Sequence, residues 1–385
     1  MPTRLAPTLA AALTALALLL LTAPADAAVH QHAAHHRAHH HKKKHHKKKH
    51  RRHHQRVTRP APLPAPVPPT PLPTAAPTPT QLPTPSPSPV ASPAPVTTSA
   101  PLLDPRLTRQ LYVDPGTASY QAWRSDPTYG PIALTPQAFW VTDATYTLPQ
   151  LSTYLAGAAA ADATPLVTVY GIPDRDCGGY SSGGLTTATY LPWVGQIADA
   201  LRGRDAMVVL EPDALAMTTS SCTDPAGRLA LLRSAVDLLS AAGAWVYLDA
   251  AHAGWVAPAP MAALLDQAGV ADARGFAVDV SSFDSTTSET VYADAVVAAL
   301  SARGVSGSHY VIDTSRNGGA TAPAPGDFCN PVEARLGTPP RVFADGSLDA
   351  YLWVKHPGQS DGSCDGAPAA GQWYPAYARQ LLGLA

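Results

Sequence analysis

Residues 102–385 are predicted to form an α/β barrel of seven parallel strands, preceded by a disordered N-terminal region of about a hundred residues. Three observations predict it. Short, continuously apolar runs rich in β-branched and aromatic residues alternate with longer helical stretches, as in parallel strands covered on both faces and joined by right-handed crossovers. Polar residues gather at or just past the C-terminal ends of these runs, from Asp176, Glu211 and Asp213 through Asp249, Asp279 and Asp313 to Lys355 and Asp361. One face assembled from almost every strand end is the habit of a barrel; an open doubly wound sheet concentrates its ligands at one switch point. The third observation is size, because 284 residues suit a single barrel.

The expected strands are residues 139–142, 166–170, 206–210, 245–248, 275–280, 310–313 and 351–354. Helical periodicity fills the intervals at 148–161, 190–201, 225–242, 260–268 and 290–302.

The first hundred residues read differently. Arg4, the apolar run Leu9 to Leu21 and Ala25-Asp26-Ala27 fit a secretory signal over residues 1–27. The run is too short for a transmembrane segment, and no later one is long enough, so export to an extracellular, disulfide-permissive setting is expected, with retention at the cell surface an open alternative. Residues 28–59 hold twelve of the 15 histidines, six Lys and five Arg, with no acid. Self-repulsion and the lack of apolar residues keep such a tract disordered. Its chemistry suits contact with anionic surfaces or weak binding of metal ions, and a solubilising tail is the plainer reading. Residues 60–101 carry 17 of the 41 prolines and no charge, the composition of a semi-rigid polyproline II spacer.

Residues 60–385 contain 15 basic and 27 acidic side chains, and Lys355 is the single lysine among them. Such a domain repels phosphate, so no nucleic-acid partner is expected. Cys177, Cys222, Cys329 and Cys364 have no zinc-site spacing, and neither a metal nor a cofactor is expected. Four cysteines allow three pairings. The local choice, Cys177 with Cys222 and Cys329 with Cys364, ties loops on the polar face and is worth roughly 3–4 kcal/mol per bridge.

Two acidic segments could carry chemistry. Glu211-Pro212-Asp213 follows an apolar strand, and a carboxyl in a low-dielectric cleft beside a second acid stays protonated as a general acid. Capping the next helix is the plainer role for either acid. Asp176 stands beside Cys177 and precedes the glycine-rich residues 178–184, a flap suited to closing over substrate. Gly179-Tyr180-Ser181-Ser182-Gly183 also fits the elbow of serine hydrolases in letters, with His252, His309 and His356 as bases, but an elbow needs its serine directly between strand and helix.

Five ordered motifs resemble those of glycoside hydrolase family 6 β-1,4-glucanases of bacterial type. They are Tyr-x-x-Pro-Asp-Arg-Asp-Cys (170–177), Leu-Glu-Pro-Asp-Ala-Leu-Ala (210–216), Tyr-Leu-Asp-Ala-Ala-His-Ala-Gly-Trp (247–255), Ile-Asp-Thr-Ser-Arg-Asn-Gly (312–318) and Trp-Val-Lys-x-Pro-Gly-x-Ser-Asp-Gly (353–362). The resemblance runs from about Leu111 to the C-terminus, and the cysteine placement matches the family's two disulfides. It implies a distorted, TIM-like seven-stranded β/α barrel and hydrolysis of β-1,4-glucan with inversion by a monomer.

By that resemblance Asp213 is the general acid. Asp176 raises its pKa and helps pass a proton from the attacking water, Ser182 helps hold that water, and Asp361 is the candidate base. Inversion needs the two working carboxylates roughly 6.5–9.5 Å apart. Tyr170 presses on the sugar at the cleavage point. Asp249, His252, Arg316 and Lys355 bind hydroxyls, Trp255 stacks on the leaving-group side and Trp123 on the other, whereas Trp140, Trp193 and Trp245 are assigned to the core.

Departures from the family pattern are His356 and Gln359 in the last motif, Phe328 where a tryptophan commonly precedes the cysteine, and Pro258 in place of a further tryptophan. Only 34 residues separate Cys329 from Cys364 and 44 separate Cys177 from Cys222. Short loops imply an open cleft and internal cleavage of soluble or amorphous glucan. The alternative is a glycan-binding surface protein whose site has decayed.

Overall fold

A computed structural model describes residues 104–384 apart from 220–223 and 325. The expected signal, basic tract, spacer and Cys222 therefore lie outside the described residues.

An eight-stranded sheet forms the centre. It consists of β1 (Phe139–Val141), β2 (Leu166–Val169), β3 (Met207–Leu210), β4 (Trp245–Asp249), β5 (Gly275–Val278), β6 (His309–Asp313), β7 (Arg341–Val342) and β8 (Leu348–Leu352), in the order β1-β2-β3-β4-β5-β6-β8-β7. Every pairing is parallel except β7 with β8. Helices α1 (Ala118–Ser125), α2 (Gly130–Ala133), α3 (Thr147–Ala160), α4 (Thr187–Leu201), α5 (Pro225–Ala241), α6 (Pro258–Gln267), α7 (Thr286–Ala302) and α8 (Pro375–Leu381) complete the chain. Proline opens α5, α6 and α8, where its missing N–H costs nothing and its fixed φ favours the helix.

Alternation along the strands builds two cores. Val208, Leu210, Val246, Leu248, Phe276 and Val278 point outward beneath the helices, while Met207, Val209, Tyr247, Ala277 and Val311 fill the sheet's interior. Residues of both sets are fully buried, which is why the strands read as unbroken apolar runs.

Two expectations need correction. Among the described residues the sheet has eight strands rather than seven, and it is not a closed ladder. β1 has one strand neighbour, and the curled edges meet through Ala138 N–H donating to Trp353 O (3.0 Å) and Trp140 Nε1 to Val354 O (2.8 Å). β8 also begins earlier than residue 351, because Asp349 is an inward strand residue. Its carboxylate accepts from Tyr247 (2.7 Å) and from both Arg274 Nε (2.7 Å) and Nη2 (2.8 Å), a buried polar cluster that an apolar-run signal misses. Two-residue β7 has no apolar run, and α1, α2 and α8 were not expected.

Candidate active site

The C-terminal ends of the parallel strands surround a cleft of about 710 Å³. Backbone at this end is unusual: Asp176, Cys177, Glu211, Asp213, Ala251, Asp279 and Ser281 all have positive φ, between 47° and 67°. Non-glycine residues held in the left-handed region after successive strands mark a place where side-chain aim outweighs local ease.

The two acids of Glu211-Pro212-Asp213 separate here. Glu211 turns inward, accepting from the N–H groups of Gly171 and Ile172 at 3.0 Å. Burial pushes its carboxyl up to about 7, and it clamps the turn after β2. Asp213 faces the cleft. Burial, reinforced by the charge of Asp176, raises it to about 7, against the pull of His252 and Lys355. Its carboxyl thus remains largely protonated in weakly acidic solution, as a proton donor requires.

Asp176 lines the cleft beneath the flap and accepts from Ser181 N–H at 2.6 Å. Ser181 faces the cleft and Ser182 is exposed on the flap, whose two ends pair through Arg175 and Gly183. Among the described residues no hydrogen bond joins either serine to a histidine, so no serine-hydrolase arrangement forms. Cys177 is disulfide-bonded, and Cys329 pairs with Cys364.

Tyr170 lies in the floor, its ring edge-on to Trp140 at 5.3 Å and beneath the Arg175 guanidinium at 4.6 Å. Trp140 is therefore a cleft residue, contrary to its assignment to the core. Trp123 is not: it lines a separate groove with Tyr120 and Arg124. The strand pattern around Trp140 hid its position at the sheet's edge, where the indole is half-buried. Trp255 (40 % exposed), Tyr180 (48 %) and Phe328 (62 %) supply further aromatic surface in the cleft.

Asp361 is held by charge. Arg316 Nη1 donates to both of its oxygens (2.8 and 2.7 Å), Lys355 Nζ lies 3.0 Å away, and Asn330 N–H donates at 3.1 Å. Burial opposes its ionisation, but Arg316 and Lys355 prevail and keep the carboxyl below the usual range. Burial lowers Lys355, and Asp361 offsets part of that effect.

Asp249 and Arg316 stand behind the cleft rather than in it. Both are fully buried. Asp249 accepts from the N–H groups of Asp213 (2.9 Å) and Ala251 (3.0 Å), and Arg316 is committed to Asp361 and packs over Phe283 at 4.3 Å. Their expected contacts with sugar hydroxyls are replaced by positioning of Asp213 and Asp361. Spacing from the strand ends indicated proximity but not depth.

His252 and Lys355 do reach the cleft. His356 serves the seam instead: its Nε2 lies 2.5 Å from Ala138 O, and burial lowers the ring to about 4, so it is neutral. Among the described residues, oxygens of Asp279, Asp284 and Glu289 lie within 4.8 Å of one another and could hold a cation. Asp284 already pairs with His252.

The family model for glycosyl hydrolases family 6 matches residues 120–385. The chain is 41% identical over 286 residues to endoglucanase A of Cellulomonas fimi, a match covering 72% of this chain and 62% of that protein. It is 35% identical over 293 residues to endoglucanase 1 of Streptomyces halstedii, covering 72% and 89%. The chain thus spans less than two thirds of the first of these relatives. The structure of endoglucanase Cel6 from Mycobacterium tuberculosis, in complex with methyl-cellobiosyl-4-deoxy-4-thio-β-D-cellobioside, is similar with 42% identity and a TM-score of 0.67, covering 72% of this chain and 98% of that one.

Proposed function

The chain belongs to glycosyl hydrolases family 6, and from that premise we propose that it is a secreted, endo-acting β-1,4-glucanase that cleaves cellulose or a related β-glucan with inversion. The observation that carries this reading is Asp213, a carboxyl kept largely protonated by burial and by Asp176 in a cleft walled by Trp140, Tyr170 and Trp255.

In the proposed reaction a glucan chain lies across the cleft, its apolar sugar faces on Trp140 and Trp255. Asp213 donates its proton to the glycosidic oxygen as the C1–O bond breaks. Water adds to C1 from the opposite face and releases a proton toward Asp176, leaving a new hydroxyl of inverted configuration. Ser182, on the flap, helps hold that water, and the N–H of the adjacent Ser181 fixes the Asp176 carboxylate at 2.6 Å. Asp361, tied to Arg316, Lys355 and Asn330, is a weak base. It acts as a fixed negative charge that stabilises the cationic sugar in the transition state.

The endo assignment rests on the short loops between Cys329 and Cys364 and between Cys177 and Cys222. It is tested by viscosity and reducing-sugar release on carboxymethylcellulose, wild type beside Asp213→Ala. Steep early viscosity loss with few new ends, abolished in the variant, is expected. Absence of turnover on this polymer and on mixed-linkage β-glucan overturns the reading in favour of a glycan-binding protein.

A further inference from the structure

Helix α1 spaces Tyr120, Trp123 and Arg124 at i, i+3 and i+4, which places them on one face. With Pro115, Gln121 and Pro127 they line a groove of about 680 Å³ that shares no residue with the cleft. The rings of Tyr120 and Trp123 meet edge to face at 5.1 Å and 66°. Trp123 is fixed from behind by packing on the cluster of Tyr129, Ile132 and Ala378, so this aromatic surface is ordered before any ligand arrives. Gln121 Nε2 donates to Pro115 O at 2.7 Å and braces the rim. Arg124 is exposed and Tyr120 half-buried, and among the described residues neither the guanidinium nor the phenolic hydroxyl has a hydrogen-bonding or ionic partner.

We propose that this face of α1 is a second glucan-binding site, outside the cleft. A β-1,4-glucan presents apolar C–H faces, which suit the paired rings, and equatorial hydroxyls, which accept hydrogen bonds from Arg124 and Tyr120. The other occupant within reach of the chemistry is this chain's own proline-rich stretch 60–101, since polyproline II segments dock on aromatic grooves. That stretch is uncharged and proline-rich, offering mainly backbone carbonyls, whereas every glucose ring carries several hydroxyls that can accept from the Arg124 guanidinium and both accept from and donate to the Tyr120 hydroxyl, so the two unpartnered polar groups favour sugar. The choice of glucan as ligand rests on the proposed glucanase reading.

The test uses the full chain. Binding isotherms on amorphous cellulose are measured in an Asp213→Asn background, with and without Tyr120→Ala and Arg124→Ala together. Hydrolysis of cellotetraose is measured with the same pair of substitutions in the active chain, which also reports correct folding. Dissociation constants about five- to tenfold higher, with cellotetraose kcat/KM within about twofold of wild type, are expected. Equal binding by parent and variant overturns the groove site, whether the groove is then empty or holds residues 60–101. If the parent neither cleaves cellotetraose nor binds cellulose, the glucanase reading fails and the site falls with it; cleavage by the parent with unchanged binding in the variant sinks the groove alone.

Discussion

His252 Nδ1 lies 2.9 Å from an Asp284 oxygen in the wall of the cleft, so the histidine facing Asp213 has a carboxylate partner of its own. Glu289 secures the same turn, accepting from Ala253 N–H at 2.8 Å, and Asp279 accepts from Asp284 N–H at 3.1 Å. Burial disfavours the imidazolium, but the bonds to Asp284 and to the Ala253 carbonyl, with the charges of Asp284 and Glu289, together outweigh it and raise the His252 pKa.

Asp284→Asn removes that support, and His252 then loses its proton at lower pH. Because His252 in its charged form lowers the pKa of Asp213, the acid's own titration moves up. The expected signature is a downward shift of the His252 pKa by NMR together with an upward shift of the alkaline limb of kcat. A uniform fall in activity with an unmoved profile would mean that Asp284 serves packing alone.

Asp213→Asn separates catalysis from stability. Loss of the acid should lower kcat by about 10²–10⁴. The folded-state pKa of about 7 lies above the unfolded value, so ionisation of Asp213 opposes folding. Its contribution is complete below about pH 4 and is lost as pH rises toward 7. Relative to wild type, the variant should gain on the order of 2–4 kcal/mol between those limits, read as a difference in urea midpoints at pH 4 and pH 8.

Arg316→Met leaves Asp361 with Lys355 and one backbone donor. Removal of one partner from a buried ion pair costs about 3–5 kcal/mol. Since Arg316 is the main group keeping Asp361 below the usual carboxylate range, the acid limb of the pH–rate profile should move to higher pH. Arg316→Lys, which keeps the charge without the two-pronged contact, should fall between the two in both measurements.

Trp140→Ala should lower kcat/KM on cellotetraose by about 10- to 100-fold, the equivalent of one lost aromatic–sugar contact of about 1.4–2.8 kcal/mol. The indole N–H also bonds Val354 O at the seam, so thermal unfolding is measured alongside. Trp140→Phe keeps the stacking surface but not the seam bond, and should retain more activity than stability.

Much of this architecture was legible because parallel strands under helices leave an unambiguous apolar run, as at Met207–Leu210, and because strand-end acids advertise a polar face. Asp213, Asp176 and Lys355 line the cleft at such strand ends, and His252, suggested as a sugar contact only by the family resemblance, lines it with them. Trp140 was misread because an aromatic in a strand looks the same whether its face meets a helix or an open cleft. The bond from Ser181 N–H to Asp176 was not legible, because register within a glycine-rich flap depends on turns that composition does not specify. The groove on α1 was invisible, since Trp123 had been drawn toward the cleft by analogy of sequence.

The sequence by itself determined the elements, their order, the acidic character of the domain and the set of chemically able residues, because these follow from local periodicity and side-chain type. Tertiary structure alone decided depth. Glu211 and Asp213, two residues apart, received opposite tasks because Glu211 meets the N–H groups of Gly171 and Ile172 while Asp213 faces the cleft, and Asp249 and Arg316 became supports rather than contacts because neighbouring strands enclose them. Charge state was decided there too, since burial and the approach of Asp176 or Arg316 across tens of residues set whether a carboxyl keeps its proton.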